Sequence, residues 1–185
     1  MFDKLRKYQQ QRVLRILTEP LRIKRIENIS DIGEIGLIIS LGDEKDWNLI
    51  MSYTKRWESQ GKCVRLIGIL PAKTELNYII SAKSITICHV KNDLDFFKIP
   101  KDGILDEFIK HQYDLIIDIT TQPNFLAQYT AAKTLANLKV TYLDKQVKDT
   151  AMIESVFDVI FRDNNPLNIQ TYLDNVEKYL SIIKK

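Results

Sequence analysis

Six short apolar runs recur along this chain: Ile35–Leu41, Val64–Leu70, Ile85–Val90, Tyr113–Thr120, Val140–Asp144 and Phe157–Arg162. Each is too short for a core helix. The first, Ile-Gly-Leu-Ile-Ile-Ser-Leu, is too continuous for a strand with one face in water, so it reads as a strand buried on both faces. Helical patterns lie between most of the runs. Trp47, Ile50, Met51, Tyr53, Thr54 and Trp57 carry one up to a stop at Gly61, and residues 102–111 carry another. Residues 123–137 follow with Pro123 in a favoured first-turn position, and residues 168–184 close the chain with Ile169, Leu173, Val176, Tyr179 and Leu180 inward. Short buried strands alternating with helices imply βαβ units. The expected fold is α/β: a three-layer sandwich around a mostly parallel, five- to six-stranded Rossmann- or flavodoxin-like sheet.

A helix precedes this rhythm. Residues 2–18 contain no glycine or proline, and Phe2, Leu5, Val13, Ile16 and Leu17 fall on one side, with Leu14 off the stripe. Pro20 should end the helix, because a residue before proline is pushed out of the α region. Residues 20–33 read as a linker. The expected division is therefore residues 1–33 as basic helix and linker, and 34–185 as one α/β domain.

Charge is distributed unevenly between these parts. Residues 1–25 hold Lys4, Arg6, Lys7, Arg12, Arg15, Arg22, Lys24 and Arg25 against Asp3 and Glu19, a net of +6. The whole chain is only +3, so the other 160 residues are −3. A basic arm ahead of a mildly acidic body points to an anionic partner. RNA and a membrane surface are the two candidates, contacted through Lys4, Arg6, Lys7, Arg12 and Arg15. Phe2, Leu5, Ile16 and Leu17 are the side chains that a membrane surface would take up. Lysine and arginine on an exposed helix are more often simply solvated, and six net charges in 25 residues is more than solubility needs.

Several chemistries are excluded by what the chain lacks. Two cysteines, Cys63 and Cys88, and two histidines, His89 and His111, make no zinc-site spacing, and no metal is expected. No apolar run reaches membrane-spanning length, and the first residues lack the apolar region of a secretory signal, so a cytoplasmic location is expected. There is no G-x-G-x-x-G after a strand, no phosphate-binding lysine loop and no nucleophile elbow. No cofactor is expected.

In an open parallel sheet, ligands sit beyond the carboxyl ends of the strands. Asp43 follows the first strand; Asp118, Thr120 and Thr121 stand at the end of the fourth. These are the candidate ligand-binding residues, although capping a helix or closing a turn is the commoner use of such side chains. The fourth strand looks at first like the phospho-acceptor strand of a response-regulator receiver, but an acceptor belongs on the third strand, and here Asp118 is on the fourth.

The basic first helix, Ile35-Gly36-Leu37-Ile38-Ile39, the stretch Lys91–Phe97, Tyr113–Asp118, Thr130–Lys133, the second Phe-Asp-Val-Ile at 157–160 and the closing Tyr179-Leu180-x-Ile182-Ile183 together carry a resemblance. The chain resembles an uncharacterised family of short stand-alone proteins from bacteria of the Bacteroides–flavobacteria group. That resemblance brings no activity with it. Residues 113–144 are also similar to the strand–helix–strand in the N-terminal half of heptosyltransferase-type glycosyltransferases, which implies fold rather than activity.

The expected function is non-enzymatic: a binding or adaptor protein whose basic helix meets an anionic partner, with the α/β body supplying a protein contact. The alternative is a small-molecule or sugar-nucleotide-binding enzyme remnant with a glycosyltransferase-like half fold, using Asp43, Asp118 and Thr120.

Overall fold

The structure is a computed structural model that describes residues 2–18, 22–71, 78, 85–120, 122–148, 150–165 and 167–183. The strands are β1 (Glu34–Ser40), β2 (Cys63–Leu70), β3 (Ile85–His89), β4 (Gln112–Asp118), β5 (Leu135–Asp144) and β6 (Val159–Asp163). The helices are α1 (Phe2–Thr18), α2 (Glu44–Ser59), α3 (Asp106–Ile109), α4 (Phe125–Lys133), α5 (Ala151–Val156) and α6 (Ile169–Ser181). The strands join one sheet in the order β3-β2-β1-β4-β5-β6, and every neighbouring pair is parallel. This is the Rossmann-type order, with its topological switch between β1 and β4.

Strand alternation divides the apolar residues between two cores. On β1, Ile35, Leu37 and Ile39 face one side and Ile38 the other. The first core is closed by Trp47, Ile50, Tyr53 and Trp57 of α2 and by Ile169, Tyr172, Leu173, Val176 and Leu180 of α6. The second is closed by α3, α4 and α5, together with Leu14 of α1. Gly36 permits this second face to pack tightly: a Cβ there would lie 2.4 Å from Ile116 Cδ1. Asp43 caps α2 by accepting from the Lys45 amide at 2.8 Å, and Gly61 beyond the helix takes a positive φ of 82°.

Three elements differ from the pattern-based expectation. The helix expected over 102–111 is only Asp106–Ile109, preceded by turns through Gly103 at φ 86°. The helix expected over 123–137 stops at Lys133, because Leu135 already pairs with Gln112 and starts β5 five residues early. Ladder pairing there overrides the helix preference of Leu135 and Ala136. Helix α5 was hidden by its length of six residues.

Helix α1 is where expected. Its one buried side chain is Leu14, outside the apolar stripe read from the sequence. Val13 and Leu17 pack beside Leu14, and Gln10 Nε2 donates to the Phe97 carbonyl at 2.9 Å. Phe2, Leu5 and Ile16 remain exposed. Pro20, the expected stop, lies outside the described residues.

Residues 22–33 follow without helix or strand and are tied down at several points. Arg22 donates to the carbonyls of Ala136 and Asn137 and to Asp158, and Lys24 Nζ lies 3.0 Å from Asp158 Oδ1. The Asn28 amide donates to the Ser181 and Ile183 carbonyls, and buried Lys62 donates to those of Ile29 and Ile32.

Candidate functional site

At the switch point, β1 and β4 end side by side, with Ile38 opposite Asp118. A depression of about 370 Å³ lies beyond them, lined by Ser40, Thr120, Gln122, Pro123, Asn124 and Phe125. Its size falls in the range of small-ligand sites, but its lining is mostly polar and uncharged. Of the four candidate ligand residues, Thr120 lines this depression. Asp43 does not; it is exposed and caps α2. Thr121 lies outside the described residues.

Asp118 is turned into the protein. It is 5% exposed; Oδ1 accepts from the Thr120 amide at 2.9 Å and Oδ2 from the Thr141 hydroxyl at 3.1 Å. Burial pushes its carboxyl up to about 6, and those hydrogen bonds limit the rise. Its geometry is that of a turn-closing side chain at the end of β4, joined to β5. The catalytic use of a carboxylate needs access to a reacting atom, and both oxygens here are committed to the fold. Among the described residues, no group of three or more metal-ligating side chains comes together.

A second depression, about 440 Å³, lies at the β6 edge between Tyr142, Phe161, Asn165 and Tyr172. It was not located from the sequence, because strand alternation places Tyr142 and Phe161 but does not show where Tyr172 of α6 meets them.

The basic segment resolves into two sets of cations. Arg22 and Lys24 meet Asp158, Arg25 meets Glu27 at 3.4 Å, and Arg6 meets Asp3 at 3.2 Å. The first two serve the fold. Asp158 is largely buried; burial alone would raise its carboxyl, but hydrogen bonds from Arg22, Lys24 and the Lys139 amide hold it below the ordinary carboxylate range. Lys4, Arg12 and Arg15 form the other set. They are exposed, and none meets a carboxylate among the described residues. Lys7 is exposed as well.

Lys139 was not anticipated. It sits on β5 between Leu138 and Val140, is 3% exposed, and its ammonium reaches, among the described residues, only the Ala132 carbonyl, at 3.5 Å. Burial, helped by the Arg22 cation, lowers its ammonium to about 7. The sequence did carry a signal: strand alternation puts position 139 on a buried face.

A family model matches residues 6–183, and the chain belongs to that family of unknown function (DUF6913). No curated protein matches. No solved structure matches.

Proposed function

Starting from a chain whose family has no established function, we propose that it is a non-enzymatic binding or adaptor protein, acting in the cytoplasm. The outer side of α1 meets an anionic partner, and the α/β body offers a surface to a protein partner. The observation that carries this reading is the division of the basic residues. Arg22 and Lys24 are spent on Asp158, whereas Lys4, Arg12 and Arg15 meet no carboxylate among the described residues. Cations kept exposed on one helix, ahead of a mildly acidic body, attract phosphate-bearing surfaces.

Deleting residues 1–25 is a poor test, because Leu14 and Arg22 belong to the folded body. The better test is charge reversal of Lys4, Arg12 and Arg15 to Glu in the full chain. Wild-type protein is expected to bind a heparin resin at low salt and leave it as salt rises; the reversed variant should pass through. Identical elution of the two folded proteins would refute the reading.

A second reading has one observation in its favour. The Rossmann-type strand order places a depression with Ser40 and Thr120 at the switch point, as in a sugar-nucleotide-binding half domain. Thermal stabilisation by a nucleotide or sugar nucleotide, lost on Thr120→Val, would support it.

A further inference from the structure

Resting on the proposed anionic partner, we infer that the partner is the surface of an anionic lipid bilayer, which α1 meets lying flat with its outer apolar side chains inserted. Residues 2, 5, 9, 12 and 16 follow one another at alternating spacings of three and four, which places them on one helix face. That face points away from the side occupied by Gln10, Leu14 and Leu17, which pack on the body. It carries Phe2, 69% exposed, Leu5, 46% exposed, and Ile16, 55% exposed. Arg12 lies on it, and Arg15 and Lys4 lie further round the same exposed side of the helix.

The patch extends past the helix. Phe96, 59% exposed, belongs to the segment after β3, and its ring meets that of Phe2 edge-on at 6.1 Å. Two aromatic rings from distant parts of the chain thus stand together at one end of α1. The whole helix is about 25 Å long. It offers a bilayer interface a row of apolar groups with cationic side chains whose long stems can reach back to lipid headgroups.

The occupant follows from the mixture. Phosphate on RNA would use Lys4, Arg12 and Arg15, but it gives Leu5 and Ile16 nothing to bury against, since aliphatic side chains provide no stacking platform. A second copy of this chain would cover the apolar groups, but it would also set the exposed Lys4, Arg12 and Arg15 against their own copies, a like-charge juxtaposition. An anionic bilayer satisfies both halves of the surface. The α6 contrast sets the scale: the fold readily covers apolar helix faces elsewhere, as in the buried row Ile169, Leu173, Val176 and Leu180.

The test uses the full chain with vesicles of phosphatidylcholine alone, vesicles of phosphatidylcholine mixed with phosphatidylglycerol, and a single-stranded RNA. Binding is expected to the mixed vesicles and to be weak on the neutral ones. Each of Lys4, Arg12 and Arg15 changed to Gln should weaken it about fivefold, the value of one juxtamembrane cation. Changing Phe2, Leu5 and Ile16 together to Ser should weaken it at least tenfold while circular dichroism and thermal unfolding stay as in the wild type. A Phe2→Trp protein should shift its emission to the blue on the mixed vesicles, a signal that surface adsorption by charge alone does not give.

Binding to the mixed vesicles without a blue shift, and unaffected by the triple serine change, would overturn insertion and leave a purely electrostatic contact. Binding to RNA with none to vesicles would overturn the lipid partner and keep the anionic one. Binding to neither at low salt would overturn both.

Discussion

Helices α6 and α1 are both amphipathic, yet the fold uses them differently. Helix α6 buries five side chains in thirteen residues: Ile169, Tyr172, Leu173, Val176 and Leu180. Helix α1 has seventeen residues and buries Leu14. The first is a wall of the core. The second is attached by a narrow strip and turns a broader apolar and cationic face outward. Burial of this kind is what stabilises a helix in a protein, so α6 is explained by the fold, while the outer side chains of α1 are not. Their exposure as Phe, Leu and Ile is the structural basis for assigning them to a partner.

Substitutions should separate the two helices sharply. Leu173→Ala removes a fully buried side chain from the first core and is expected to cost about 4 kcal/mol. Denaturant unfolding at constant slope measures it; a loss under about 1 kcal/mol would mean that α6 is not the wall described.

Asp158→Ala comes next. It strips the shared carboxylate from Arg22 and Lys24 and leaves Lys139 among uncompensated cations, with an expected loss of about 3 kcal/mol. An unchanged midpoint would show that residues 22–25 dock without it.

Leu14→Ala should cost about 2 kcal/mol, less than Leu173→Ala, because α1 buries one side chain where α6 buries five. Equal losses would erase the contrast.

The pH dependence sharpens it further, since the buried ionisable groups lie on the body side. Lys139 titrates near 7 in the folded protein and near 10.5 when unfolded. Between those values the unfolded chain binds the extra proton, so stability should rise with pH above about 7. The clear window ends near pH 9, where the buried Cys88 thiol, raised to about 12, begins to act in the opposite sense. For Asp118 the folded value near 6 exceeds the unfolded 3.8, so the folded chain holds the extra proton and stability should fall as pH rises through that interval. Lys139→Met should flatten the rise above 7, and Asp118→Asn the fall below 6. Midpoints recorded across pH 4–9 check both; a rise that survives Lys139→Met would assign it to another group, such as buried Lys62, whose ammonium is also lowered by burial.

The smallest effect is expected on the outer side of α1. Changing Phe2, Leu5 and Ile16 together to Ser should alter stability by about 0.5 kcal/mol or less, the range of surface substitutions.

Much of the sheet was legible because a strand buried on both faces announces itself as an unbroken apolar run, as Ile35–Leu41 and Val64–Leu70 do. What failed was non-local. The start of β5 at Leu135 depends on Gln112 across the sheet, and local preference for helix concealed it. The inward turn of Asp118 depends on Thr141 of the neighbouring strand, which no spacing near Asp118 could disclose. The apolar stripe of α1 is divided for a related reason: Val13 and Leu17 pack beside Leu14 against the body, while Phe2, Leu5 and Ile16 stay outside, and no spacing within the helix shows which side chains dock. Phe96 could not be linked to Phe2 at all without the folded chain, since 94 residues separate them.

On the proposed reading, the outer face of α1, and not the strand ends at the switch point, meets the partner. Hydrogen exchange of the full chain, with and without phosphatidylglycerol-containing vesicles, compares the two regions in one experiment. Added protection is expected over Phe2–Thr18, with residues 40–44 and 118–126 unchanged. Added protection at the strand ends with α1 unchanged would contradict it.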